Sequence, residues 1–167
     1  MMRIKMRITE SQLRRIIKEE LDSNVETIQR MLRLDPWTFD QTPAGWSSLP
    51  ADMQIDAMRA YVEGPLTGPQ KTKAPPGRTL DPRTIIWHLG QVLAMRDQPG
   101  DRKEAIGWMM KSLKPDDRQW NDYVKATIAF LSGDRESFDK HSAGENYNSN
   151  VLDRLRDGWG RSYSEVY

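Results

Sequence analysis

The sequence has no cysteine, only two histidines and no long apolar run. Without cysteine, the chain cannot form a disulfide framework, a thiolate nucleophile or a cysteine-based zinc site. No phosphate-binding loop and no cluster of metal ligands is found, so the sequence predicts neither a cofactor nor a metal centre. The apolar stretches fall short of the length that spans a bilayer, and we therefore expect no transmembrane segment.

The composition favours a helical protein with a thin core. Of the 167 residues, 37% are apolar and 29% are charged, and this length suits one domain with an appended arm. The formal net charge of +1 provides no overall attraction to nucleic acid or to acidic membranes. The charge is uneven, however, because residues 1–18 contain six basic residues and one acidic residue.

The clearest local signal is an amphipathic helix near the N-terminus. Thr9 followed three residues later by Gln12 is typical of a capping box, and Glu10 places negative charge at the positive end of the helix dipole. Apolar residues then recur at spacings of three and four, which predicts one apolar stripe on a helix that runs to about Leu34. The stripe begins with Leu13, Ile16, Ile17 and Leu21 and continues through Val25, Ile28, Met31 and Leu32.

Two interpretations of this stripe are open from the sequence alone. It either packs on the body of its own chain or docks into a groove of a partner. In the second interpretation the predicted partner-binding residues are the apolar Leu13, Ile16, Ile17 and Leu21 with the basic Arg14 and Arg15. Residues 6–21 resemble N-terminal segments of otherwise unrelated proteins from marine bacteriophages and some bacteria. The resemblance implies a portable docking segment, separable from the domain behind it.

The chain is predicted to fall into three parts: an N-terminal helical arm over 1–34, a middle region over 35–80, and a C-terminal region over 81–167. In the middle region we expect an irregular, aromatic-rich wrap from Trp37 to Ser48. A helix should then open at Ser48 and Pro50 and end at Gly64. The prolines and glycines of residues 64–80 predict an exposed loop without regular structure.

The C-terminal region has the pattern of a helical stack. Asp81-Pro82 is a helix start signal, and helices are predicted over about 82–96, 101–113, 117–132, 134–142 and 149–157, with a short turn from Ser162. The tripeptide at residues 100–102, Gly-Asp-Arg, recurs at residues 133–135. This region resembles degenerate tetratricopeptide repeats, which implies stacked helical hairpins with the small Ala105 at the closest approach of two helices. The predicted fold is all-α: an arm followed by a small, repeat-like stack of hairpins.

The two histidines suggest the main catalytic alternative. Arg83 lies five positions before His88, and Arg135 lies six positions before His141. This spacing is similar to the Arg-x4-6-His motif of the all-helical HEPN ribonucleases. The resemblance implies that His88 would handle protons and Arg83 would steady the phosphate. The alternative is that His88, beside Trp87, has a structural role in helix packing.

Taken together, these patterns favour a non-enzymatic protein-binding or assembly component from a phage or a related system. Its partner would be another protein or a second copy of itself, in a cytoplasm or within a virion or other particle assembled there. A HEPN-like ribonuclease using Arg83 and His88 is the runner-up. Contact of the basic arm with a membrane or with nucleic acid is a third alternative, and it is not favoured.

Overall fold

The computed structural model describes residues 9–67 and 74–167, and within these ranges the chain is all-α. Nine α-helices are present there: α1 (Glu10–Met31), α2 (Pro36–Gln41), α3 (Ala51–Glu63), α4 (Pro82–Arg96), α5 (Asp101–Lys111), α6 (Arg118–Ser132), α7 (Arg135–Ser142), α8 (Ser149–Asp157) and α9 (Tyr163–Val166). Two 3₁₀ turns, Trp46–Ser48 and Pro65–Thr67, flank α3. No strand is present in the described ranges, which confirms the predicted all-α fold class.

The start of α1 is the capping box that the sequence predicts. The Thr9 hydroxyl accepts a hydrogen bond from the Gln12 backbone N–H at 3.3 Å, and the Gln12 side chain accepts one from the Thr9 N–H at 2.9 Å. The helix ends at Met31, slightly before the predicted Leu34, whose N–H donates to the Met31 carbonyl in a closing turn. The capping box therefore sets where the helix begins.

The irregular wrap predicted from Trp37 to Ser48 is wrong for its first half, because residues 36–41 form α2. The Asp35 carboxylate accepts hydrogen bonds from the N–H groups of Trp37 and Thr38, and Pro36 occupies the first helical position. An Asp-Pro pair of this kind starts a helix as well as stopping the preceding one.

The boundaries of the middle region also differ in detail from the prediction. The N-cap of α3 is Pro50, while the Ser48 hydroxyl donates to the Gly45 carbonyl at 2.7 Å instead of capping that helix. The helix ends at Glu63 with Gly64 as its C-cap, in agreement with the predicted end at Gly64. In the predicted loop, Pro65–Thr67 is a 3₁₀ turn, and residues 74–80 form no helix or strand. The rest of that loop, 68–73, lies outside the described residues.

The C-terminal helices form the expected hairpins. The loop before α5 turns at Gly100 and the loop before α7 at Gly133, both with positive φ (94° and 71°), where glycine is favoured. α5 packs on α4, α7 packs on α6, and α5 also contacts α6, so the two hairpins stack. A Cβ atom on Gly90 would lie 3.1 Å from the Ala105 carbonyl oxygen and 2.8 Å from Met109 Cγ. α4 and α5 therefore pack closely at Gly90, opposite Met109 and the fully buried Ala105.

An ion pair between the exposed Arg96 and the buried Asp101 closes the turn between α4 and α5. Two Arg96 nitrogens donate to the two oxygens of the Asp101 carboxylate, each at 2.7 Å, and the Gln98 N–H donates to the same group at 3.0 Å. The hydrogen-bonded Arg96 guanidinium holds the pKa of the Asp101 carboxyl below its usual range. Since protonation would break this pairing, the turn's contribution to stability is present at neutral pH and is lost in acid.

One cluster of buried side chains runs through the body, and it includes the end of α1. Trp87, Trp120 and Tyr123 contact one another with ring centroids 4.9–6.1 Å apart. At the other side, Tyr61 stacks on Phe39 and donates to the Leu34 carbonyl at 2.7 Å. Met31 is buried in the same cluster, and Ile28 and Leu32 pack against it. The last turn of α1 therefore belongs to the body, and the part of α1 before it projects outward.

Candidate functional site

The projecting part of α1 carries a row of exposed apolar side chains. The exposed fractions are 48% for Leu13, 45% for Ile16, 47% for Ile17, 59% for Leu21 and 52% for Val25. Within the described residues, these five make up most of the exposed large apolar side chains, and the remaining four are scattered over other parts of the chain. Contiguous exposed apolar surface of this kind marks an interaction site, whereas isolated exposed residues do not. We call these five residues the α1 stripe.

The α1 stripe continues the face that anchors the helix to the body. Ile28 and Leu32, which pack against the core, lie seven residues after Leu21 and Val25 respectively. Seven residues are nearly two helical turns, so all four side chains share one face. Contacts between α1 and the body are made mainly with α3. The same apolar face is therefore covered at one end of the helix and uncovered over the rest.

The two arginines predicted to assist docking are exposed beside the stripe. Arg14 pairs with Glu10 at 2.7 Å and Arg15 pairs with Glu19 at 3.7 Å, one helical turn apart in each case. The side chains of both arginines are more than 70% exposed. Exposed ion pairs of this type contribute less than about 1 kcal/mol. Both guanidinium groups are therefore available to exchange their partners when another surface approaches.

Charge is segregated along α1. Residues 10–18 contain three basic residues and one acidic residue, whereas residues 19–30 contain four acidic residues and one basic residue. The acidic positions are Glu19, Glu20, Asp22 and Glu26. The first half of the helix is thus positive and the second half negative, with the stripe running through both.

The structure does not bring Arg83 and His88 together. Arg83 pairs with Asp81 at 3.8 Å, while His88 Nδ1 lies 2.7 Å from an oxygen of Asp40. Both residues are on α4, and five positions along a helix correspond to about 140° of rotation, which points the side chains to different faces. The ribonuclease alternative stays a prediction, and the structure does not direct the Arg83 guanidinium and the His88 ring toward a common point.

His141 repeats this arrangement on the second hairpin. Its Nδ1 lies 2.8 Å from an oxygen of Asp122 on α6, while Arg135 pairs with Asp139 at 3.1 Å. In both cases, then, the histidine bonds to a carboxylate of another helix and the arginine bonds to one close by in sequence. The histidines join packed elements, and among the described residues neither histidine bonds to an arginine.

The Asp40 carboxylate is the centre of a buried polar network that sequence reasoning missed. Its side chain is fully buried and accepts hydrogen bonds from Trp46 Nε1 at 3.1 Å and from Gln41 Nε2 at 2.6 Å, in addition to the His88 contact. Since a carboxylate only accepts hydrogen bonds, the His88 ring donates to it. The network ties α2 and the following 3₁₀ turn to α4, which supports a structural role for His88.

Replacement of His88 by alanine is expected to lower the free energy of unfolding by about 1–2 kcal/mol, because the buried Asp40 carboxylate loses a donor. His88→Asn should recover part of this loss, since its amide N–H can reach a similar position. Urea denaturation of the full chain measures both values. If the asparagine variant is as unstable as the alanine variant, or if both match the wild type, then the hydrogen bond from His88 to Asp40 does not stabilise the fold.

The described residues hold no group of three side chains suited to a metal ion, and none of their helices has the length and apolar character to span a membrane. No known protein family, curated protein or solved structure matches the chain.

Proposed function

We propose that this protein is a non-enzymatic interaction or assembly component that docks onto a protein surface through the α1 stripe. The observation that carries the proposal is the exposure of five neighbouring apolar side chains on one helix that projects from a folded body. Burial of apolar surface is the main favourable term in protein association. A helix that presents such a row at spacings of three and four is suited to an apolar groove or to another helix.

The charges of α1 favour a protein surface over a lipid surface. A helix that lies on a membrane is typically rich in lysine and arginine along its whole polar face. The second half of α1 instead carries Glu19, Glu20, Asp22 and Glu26, which an anionic lipid surface would repel. A protein partner can supply a complementary charge to each half.

The resemblance of residues 6–21 to phage segments agrees with a docking role and supports a place in an assembled particle. Part of that segment, residues 6–8, lies outside the described residues. A ribonuclease function is not proposed, because Arg83 and His88 contact different carboxylates and no other observation favours it.

Photo-crosslinking in cells that produce the protein tests the docking role. A benzophenone amino acid is placed at Ile17 on the stripe or, as a control, at Glu19. The Glu19 side chain is rotated by about 200° from that of Ile17 around the helix axis. We expect covalent adducts to other polypeptide chains from position 17 and several-fold fewer from position 19. Equal yields from the two positions, or no adduct from position 17, would contradict the proposal.

A further inference from the structure

We infer that the α1 stripe pairs with the α1 stripe of a second copy of this chain, with the two helices antiparallel. This inference rests on the proposed docking function and names its partner. Three features of α1 support it: the segregation of charge along the helix, the symmetric spacing of four of the stripe residues, and the position along α1 at which the helix meets its own body.

The charge pattern selects a second copy in the antiparallel orientation. The first half of α1 is positive and the second half negative, so antiparallel pairing sets each positive half beside the negative half of the other copy. The helix dipoles then also oppose each other favourably. Parallel pairing would instead place like charges side by side along the whole contact, which is unfavourable.

Four of the five apolar positions of the stripe lie opposite one another in this orientation. We place the two-fold axis perpendicular to the helices, at the level of residue 19. Leu13 then lies opposite Val25 of the second copy, and Ile17 lies opposite Leu21. The symmetry repeats both pairs, so four apolar layers form along the contact. Four of the five stripe residues are thus symmetric about the midpoint of the row, while Ile16 lies at the level of Asp22 of the second copy. The symmetric four give the stripe a complementary surface in another molecule of the same chain.

The bodies do not obstruct this pairing. The overlap from position 13 to position 25 is about 18 Å long, and it ends before Ile28, where α1 meets its own body. Antiparallel helices place the two bodies at opposite ends of the contact. A contact between two helices over this short length buries less than the roughly 1,200 Å² of stable interfaces. The dimer is therefore expected to be weak and to weaken further as salt screens its charges.

Disulfide trapping tests the partner and the orientation together. The wild-type chain has no cysteine, so single Leu13→Cys and Val25→Cys variants of the full chain each carry one thiol. When the two variants are mixed and oxidised, we expect a disulfide-linked heterodimer, while each variant alone gives little. Disulfide formation by each variant alone, without the mixed product, would indicate parallel pairing and overturn the inference.

Charge reversal supplies a second test that does not depend on oxidation. Arg14→Glu with Lys18→Glu makes both halves of α1 acidic, whereas Asp22→Lys with Glu26→Lys makes both basic. Sedimentation equilibrium should show a concentration-dependent wild-type dimer, loss of self-association in each double variant, and its return in their mixture. A wild type that stays monomeric at every concentration would overturn the inference. If Ile17 still forms photo-adducts with a different protein in that case, the proposed docking function stands without the second copy.

Discussion

Phe138→Ala is expected to lower the free energy of unfolding by about 3–5 kcal/mol, the range typical of a large aromatic removed from a core. Phe138 is completely buried on α7, and its ring centroid lies 5.1 Å from that of Trp159. The Arg135 and Arg156 guanidinium groups lie 5.8 and 5.9 Å from the same ring. Truncation would thus leave a cavity between α7 and the C-terminal segment and remove these ring contacts.

The midpoint of urea unfolding of the full chain, with the slope held constant, reports this loss. Phe138→Leu serves as a control that keeps most of the apolar volume, and it should cost clearly less than the alanine variant. Lys140→Ala, at an exposed position on the same helix, should change the free energy by less than about 0.5 kcal/mol. A change below about 1 kcal/mol in Phe138→Ala would show that α7 does not depend on this contact.

Helix positions that depend on local chemistry could be predicted from the sequence. The start of α1 follows from Thr9 and Gln12, and the start of α4 follows from Asp81-Pro82. These signals act within one helical turn, so no knowledge of the rest of the chain is required. The missed helix α2 shows the limit of this reasoning. The pair Asp35-Pro36 starts α2, whereas the prediction from Trp37 onward was an irregular segment.

The partners of the histidines could not be predicted in the same way. Asp40 is 48 residues from His88, and Asp122 is 19 residues from His141. No local pattern links a histidine to a carboxylate at such a separation, because the contact is set by the packing of whole helices. The Arg-x4-6-His spacing directed attention to the neighbouring arginines, whereas the structure pairs the histidines with these carboxylates.

The α1 stripe could be predicted from the sequence only in part. The spacing of apolar residues predicted a stripe on α1, and Leu21 and Ile28 belong to it equally by pattern. In the structure Leu21 is exposed and Ile28 packs against the core. The different exposure of Leu21 and Ile28 depends on where α1 packs against α3. This packing involves residues far apart in sequence. Periodicity therefore identified the side chains and left open which of them the body covers.

The central claim is that the α1 stripe is a docking surface and not part of the core. Ile17→Asp is expected to leave the free energy of unfolding within about 0.5 kcal/mol of the wild type, because the position is exposed. The same substitution at the fully buried Ile85 is the matched control. It places an unpaired carboxylate in the core and should cost more than about 4 kcal/mol or prevent folding.

The most direct test is to measure both variants by urea unfolding at a protein concentration below that of self-association, and to record sedimentation of Ile17→Asp at high concentration. The account predicts wild-type stability for Ile17→Asp together with a complete loss of self-association, since a charge would enter the apolar contact. A loss of stability in Ile17→Asp comparable to that of Ile85→Asp would contradict it, because the stripe would then be covered by the chain's own body.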